Sequence, residues 1–171
     1  MTAALQLPSP ELEESYRSYI EELGDEERYP FPLDFAYDDF LAWLRRVEAF
    51  AAGVDLPEGF VSSTTFWLVR DEEIIGVSNL RHTLNAGLAH CGGHIGLGVR
   101  PSWRGNGVGN RLMALTIQEA RKRGIGAVHV HCHKHNIASA RMIVGNGGVL
   151  DSEIEDGEPP EIVQRYVIPA P

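Results

Sequence analysis

Two cysteines, Cys91 and Cys132, are all that the 171 residues contain. Neither has a partner at C-x-x-C spacing, so neither a zinc knuckle nor a disulfide framework is indicated. No stretch reaches the roughly 18 apolar residues of a membrane span, and Met1-Thr2-Ala3-Ala4-Leu5 lacks a basic start. A soluble, cytoplasmic protein with no membrane partner is the expectation. Positive charge is also in deficit: 15 Lys and Arg face 24 Asp and Glu, a formal charge of −9. That balance opposes sequence-independent attraction to nucleic acid and favours a cationic or neutral small partner. The acid is concentrated in Glu11 to Glu27 and Asp151 to Glu161, which read as solvated faces. With 43% hydrophobic residues and no internal repeat, residues 1–171 read as one domain large enough to bury a single core.

Along the chain, residues 1–8 read as a loose tail. Ser9 is placed to cap a helix with Pro10 at its first position; Leu12, Tyr16, Tyr19, Ile20 and Leu23 form its apolar face, and Gly24 ends it. Tyr29-Pro30-Phe31-Pro32 is a connector. Asp38-Asp39 is suited to cap a second helix, in which Phe40, Leu44, Val47 and Ala51 recur at helical spacing up to Gly53. The period then changes to two: Phe66–Val69, a turn at Asp71–Glu73, and Ile74–Leu80 make a hairpin. Asn85–Gly93 is a loop with a turn of helix. A short strand, His94–Val99, leads through Arg100-Pro101 to a helix carrying Val108, Leu112, Leu115 and Ile117–Ala120 to about Arg123, with Gly124 as its stop. Next come a strand at Ala127–Cys132, a helix opened by Asn136, a strand near Val149-Leu150, a loop at Asp156–Pro160 and a last strand, Ile162–Ile168.

The turn before the long helix, Arg104-Gly105-Asn106-Gly107-Val108-Gly109, carries the chemistry. A glycine-dense turn opening a helix gathers unpaired N–H groups at the positive end of the helix dipole, and the missing side chains admit an anion. A P-loop requires Gly-Lys-Ser/Thr, but Asn110-Arg111 follow Gly109. A dinucleotide turn requires a third glycine where Asn110 stands, and an acidic residue ending the next strand, which is missing.

What remains is R-x-x-G-x-G, Arg104 to Gly107 to Gly109, which resembles the pyrophosphate loop of the GNAT superfamily of acyl-CoA N-acyltransferases. Asn136 at the next helix start, Ser139 three residues on, and Gly147-Gly148-Val149 at its exit match the same family, so the resemblance spans about residues 66–168. Leu80–Asn85 with Gly92–Gly96 resembles a branch described only as predicted acetyltransferases. The resemblance implies an α/β GNAT fold: a mixed, mostly antiparallel sheet splayed near its central strands, with helices on both faces. It implies a helical acceptor-side region at residues 1–60, an acyl-CoA core at 66–168, acetyl-CoA as co-substrate and no metal. The acceptor would be a small-molecule or peptide amine, and a homodimer is compatible. Main-chain groups of Leu97, Gly98 and Val99 would pair with the pantetheine, with Gly96 and Gly98 permitting close approach by another backbone. Amides of Arg104, Gly105, Asn106, Gly107, Val108, Gly109 and Asn110 would hold the pyrophosphate. The Arg104 side chain would either bind phosphate or organise the loop. Asn136, with Ser139 beside it, would meet the pantetheine amides, and Asn136 can cap its helix at the same time.

Such a site needs a proton route for the amine, polarisation of the carbonyl and an outlet for the thiolate. The family's thiolate-protonating tyrosine would fall at Ile143, a departure that leaves either Ser139, Tyr166 or water as proton donor, or a thiolate that departs unassisted, tolerable near neutral pH at a thiol pKa of roughly 8.5. All seven histidines lie between His82 and His135. His94, near where relatives place a glutamate, is the candidate base, against a plain packing role; an ordinary pKa near 6.5 suits it. His129, His131 and His133 share one strand face, a zinc-compatible spacing, but no carboxylate nearby completes a set and a polar sheet face explains them. Three readings follow: an acetyl-CoA-dependent N-acetyltransferase, which leads; a non-catalytic acyl-CoA-binding or regulatory module; and, last, a histidine metalloprotein.

Overall fold

A computed structural model describes residues 2–171. In chain order the elements are β1 (Ala4–Gln6), α1 (Glu13–Leu23), α2 (Phe40–Ala52), β2 (Ser63–Arg70), β3 (Glu73–Arg81), α3 (Ala86–His90), β4 (Ile95–Val99), α4 (Val108–Lys122), β5 (Val128–His133), α5 (Ile137–Gly145), β6 (Val149–Asp156) and β7 (Glu161–Ile168). Every named strand pair is antiparallel. The strands form two sheets, ordered β1-β2-β3-β4 and β5-β7-β6.

Alternation along β2 decides which helices cover which face. Trp67 and Leu68 are adjacent and therefore point to opposite sides. Trp67 packs with Tyr16, Tyr19, Trp43, Val47 and Val77 in a cluster built by α1 and α2. Leu68 packs with Ile75, Val108 and Leu112 under α4. A third cluster joins the first sheet to the second through Leu80, Ile95, Met113, Val130, Ile143 and Tyr166. α2 forms where its capping chemistry lies: Asp39 accepts a hydrogen bond from the Ala42 N–H at 3.0 Å, and Gly53 closes the helix in the left-handed region.

Two expectations about the start of the chain need correction. Residues 4–6 are not a loose tail; they pair with Val69, Leu68 and Trp67 and complete the edge of the first sheet. Ser9 makes no side-chain cap: a 3-10 turn over Pro10–Leu12 precedes α1, which starts at Glu13. Among the described residues, no helix is long and apolar enough to cross a membrane.

The two sheets touch at one corner. Gly93 bridges Val130, and the His94 N–H donates to the His129 carbonyl at 2.7 Å. From Ile95 onward β4 pairs only with β3, while β5 pairs with β7. The strands diverge, and the wedge between them is the cleft.

Candidate active site

The cleft has a volume of about 470 Å³. Leu97, Gly98 and Val99 line one wall and His131, Cys132 and His133 the other; Arg104, Asn136 and Ser139 also face it. α1 and the connector after it contribute Tyr19, Leu23, Glu26, Glu27 and Tyr29.

On β4, Arg81 N–H donates to the His94 carbonyl and Arg100 N–H to the Ile75 carbonyl. In an antiparallel ladder the alternate residues then turn their main-chain groups away from β3, so Leu97 and Val99 present theirs to the cleft edge. The Val99 carbonyl is taken by Arg104 Nε at 3.1 Å. The glycines of this strand serve a different neighbour from the one expected. A Cβ on Gly98 would lie 2.5 Å from the Tyr29 carbonyl, and one on Gly96 2.7 Å from the Tyr29 hydroxyl. The close backbone is the chain's own connector, which lies across the face of β4.

Beyond β4 a 3-10 turn, Pro101–Trp103, delivers the chain to the glycine loop. Gly105 and Gly107 have φ of +78° and +76°, a region that favours glycine, and no atom crowds either Cβ position. The first intrahelical bonds of α4 leave its leading amides unused. The six N–H groups from Gly105 to Asn110 donate to no protein group among the described residues. The Arg104 guanidinium instead grips Glu26 through two hydrogen bonds of 3.1 and 2.7 Å. Of the two roles expected for Arg104, the structure supports the organising one: it ties the end of α1 to the end of β4.

Asn136 caps α5 by accepting the Ser139 N–H at 3.1 Å. Asn110, at the start of α4, accepts a hydrogen bond from Asn146 Nδ2 at 2.9 Å, which fixes the two helices together. Ile143 is fully buried, and a Cβ on Gly148 would approach its methyl group to 2.5 Å. The position of the missing tyrosine belongs to the core.

His94 and Tyr166 are not brought to the cleft. His94 is 7% exposed, and its Nδ1 accepts the His129 N–H at 2.9 Å. That bond puts the ring proton of neutral His94 on Nε2. Burial, with His129 and Arg81 nearby, lowers its pKa to about 4. These features describe a histidine that staples the sheet junction. Tyr166 is buried and donates to Gln164 at 2.8 Å. The strand histidines go separate ways: His131 Nδ1 accepts the Gly92 N–H at 2.9 Å and is held near pKa 4 by burial, then by Arg165, whereas His133 Nδ1 lies 3.0 Å from Glu161. A carboxylate does reach this row, 28 residues downstream at the start of β7.

Tyr19 is the cleft residue that periodicity concealed, because it recurs with the apolar face of α1. Its hydroxyl is buried without a hydrogen-bond partner, 3.6 Å from where a Gly98 Cβ would stand. Burial raises its pKa, so the phenol stays protonated.

A search among curated proteins returned no match. Solved structures with the same fold include a ribosomal-protein-S5-alanine acetyltransferase from Vibrio fischeri, 14% identical, with 99% of this chain and 94% of that one covered and a TM-score of 0.73. An acetyl transferase from Salmonella typhimurium that modifies the N-terminal serine of ribosomal protein L7/L12 is 15% identical, with coverages of 100% and 96% and a TM-score of 0.71. A putative acetyltransferase from Salmonella typhimurium, solved with its cofactor acetyl-CoA, is 13% identical, with coverages of 99% and 94% and a TM-score of 0.66. The model of the acetyltransferase (GNAT) family matches residues 9–145, the stretch that holds the cleft edge of β4, the glycine loop and the Asn136 cap. The chain belongs to the GNAT acetyltransferase family.

Proposed function

We propose that the protein transfers an acetyl group from acetyl-CoA to a primary amine by direct attack in a ternary complex. The observation that carries this reading is the open edge of β4, which lines the cleft with Arg104 and Asn136, together with the six unused amides of the loop that follows Arg104. Residues 105–110 would take the pyrophosphate, Leu97 and Val99 the pantetheine amides as an added strand, and Asn136 and Ser139 its far side. Segments before β2 form the acceptor side, which the positions of Glu26, Glu27 and Tyr29 support.

The amine nitrogen attacks the thioester carbonyl, the new C–N bond forms as the C–S bond breaks, the ammonium loses a proton and the thiolate gains one. A main-chain N–H of β4 polarises the carbonyl. The Nδ1 atoms of His94 and His131 already accept amide hydrogen bonds, which argues against either as the base. Glu27 faces the cleft without an ion-pair partner among the described residues, so it attracts the protonated amine and receives its proton through water. The Tyr19 phenol donates a hydrogen bond to the sulfur or the carbonyl oxygen without giving up its proton. Water, or Ser139 at the α5 end, supplies the proton to a thiolate whose ordinary pKa of about 8.5 makes it a tolerable leaving group.

One structural neighbour modifies the N-terminal serine of ribosomal protein L7/L12 and another is a ribosomal-protein-S5-alanine acetyltransferase, which supports a peptide N-terminus alongside small amines as the acceptor class. Burial of Ile143 and His94 favours a second reading, a non-catalytic acyl-CoA-binding module. Release of free thiol from acetyl-CoA against a panel of amines and N-terminal peptides separates the two. Amine-dependent release that falls about tenfold or more in Tyr19→Phe, with acetyl-CoA affinity kept, supports the enzyme; binding without release against every amine supports the module.

A further inference from the structure

The outer end of β5 holds a second constellation, distinct from the groups assigned to acyl transfer. His133 ends the strand, and a two-residue turn brings His135 back beside it, the two rings stacked at 5.3 Å and 15°. Both Nδ1 atoms address one oxygen: Glu161 Oε2 lies 3.0 Å from His133 and 3.9 Å from His135. One ligand-type atom from each of the three residues falls within 4.8 Å of the others. We propose that His133, His135 and Glu161 form a binding site for a divalent transition-metal ion, with Zn²⁺ the best chemical match.

Donor type and spacing carry this inference. Two imidazole nitrogens and one carboxylate oxygen are a zinc set, and bonds of 2.0–2.2 Å in a tetrahedron place ligand atoms about 3.3 Å apart. The separations of 3.0 and 3.9 Å bracket that edge, and turning the two stacked rings out of parallel would bring their lone pairs onto a common point beside the carboxylate. The backbone beneath it is fixed. Lys134 N–H donates to the Ile162 carbonyl at 2.8 Å, Asn136 N–H to the His133 carbonyl at 2.9 Å, and His133 stands opposite Val163 in the β5–β7 register. Little ordering of the main chain is then left for the metal to impose. The one cation between the histidines is turned away, with Lys134 Nζ on Glu153 at 3.1 Å.

All three side chains are about half exposed or more, which leaves the fourth position to water or to an anionic group of a ligand. His133 also lines the cleft, and the turn that the ion would hold leads directly into Asn136. The ion would brace the entrance to α5 from outside; no step of acyl transfer passes through it.

Titrating the tag-free full chain with ZnCl₂ by calorimetry at pH 7.5 tests the site. One Zn²⁺ per chain is expected, weakened at least about tenfold in Glu161→Gln and in His135→Ala. Both changes are at exposed positions, so circular dichroism should match the parent. His90→Ala, which alters an exposed histidine outside the triad, should bind as the parent does. Absence of binding by the parent, or parent-like affinity in either triad variant, would overturn the assignment.

Discussion

Glu26, just past the end of α1, holds the guanidinium of Arg104 on two hydrogen bonds across 78 residues of sequence. The pair distinguishes two uses of the arginine. If Arg104 were a phosphate ligand restrained by Glu26, Glu26→Gln would free it and tighten CoA binding. Because Arg104 also anchors the Val99 carbonyl, the expected outcome is the reverse: Glu26→Gln loosens the loop and weakens CoA binding by about two- to fivefold, a modest loss suited to an exposed pair. Calorimetry with CoA reads the sign.

Gly98→Ala would push a methyl group to 2.5 Å from the Tyr29 carbonyl, and backbone has little freedom to retreat. Overpacking of this kind costs about 1–3 kcal/mol, to be read by urea denaturation. Because the proposed function puts the acceptor on the side of this connector, KM for the amine should rise more than the dissociation constant for acetyl-CoA.

Much of the backbone framework around β4, α4 and α5 is legible in the sequence because its signals are local. The glycine loop adjoins the helix that it opens, and Asn136 directly precedes the helix that it caps, so each signal acts within a few residues. What was missed depends on distant partners. β1 is only three residues long and is a strand because β2 offers it an edge. The glycines of β4 admit a close neighbour, but the sequence does not say which, and Tyr29, about 70 residues earlier, is the one that lies against them. Tyr19 recurs with the apolar face of α1 and is a core residue as that periodicity implies, but its unpartnered hydroxyl borders the cleft, which periodicity does not reveal. Glu161 meets His133 only because β7 pairs with β5.

His94 sets a pH dependence of stability. Its folded pKa of about 4 lies below the ordinary 6.5, so between these values the unfolded chain binds more protons than the folded one. Its contribution is complete above pH 6.5 and is lost as pH falls toward 4, by on the order of 3 kcal/mol across the window. Urea midpoints at pH 7.0, 5.5 and 4.5 should fall more steeply for the parent than for His94→Gln. Turnover should show no acid limb near 6.5 that His94→Gln removes.

Ile143→Ala should act through packing. The side chain is fully buried against Gly148, so truncation is expected to destabilise by about 2–5 kcal/mol. The alkaline limb of the rate should stay where it is in the parent. A moved limb would place the leaving-group chemistry at position 143.

The central claim is that the amides of residues 105–110 hold the CoA pyrophosphate, and calorimetric titration of Gly107→Asp with acetyl-CoA tests it most directly. Gly107 has φ of +76° and open space around it, a backbone that Asp tolerates better than most side chains, so circular dichroism should report a folded protein. The carboxylate would stand beside the pyrophosphate, where like charges repel. The account expects the parent to bind acetyl-CoA and the variant to lose at least about a hundredfold in affinity; a folded variant that binds as tightly as the parent would contradict it.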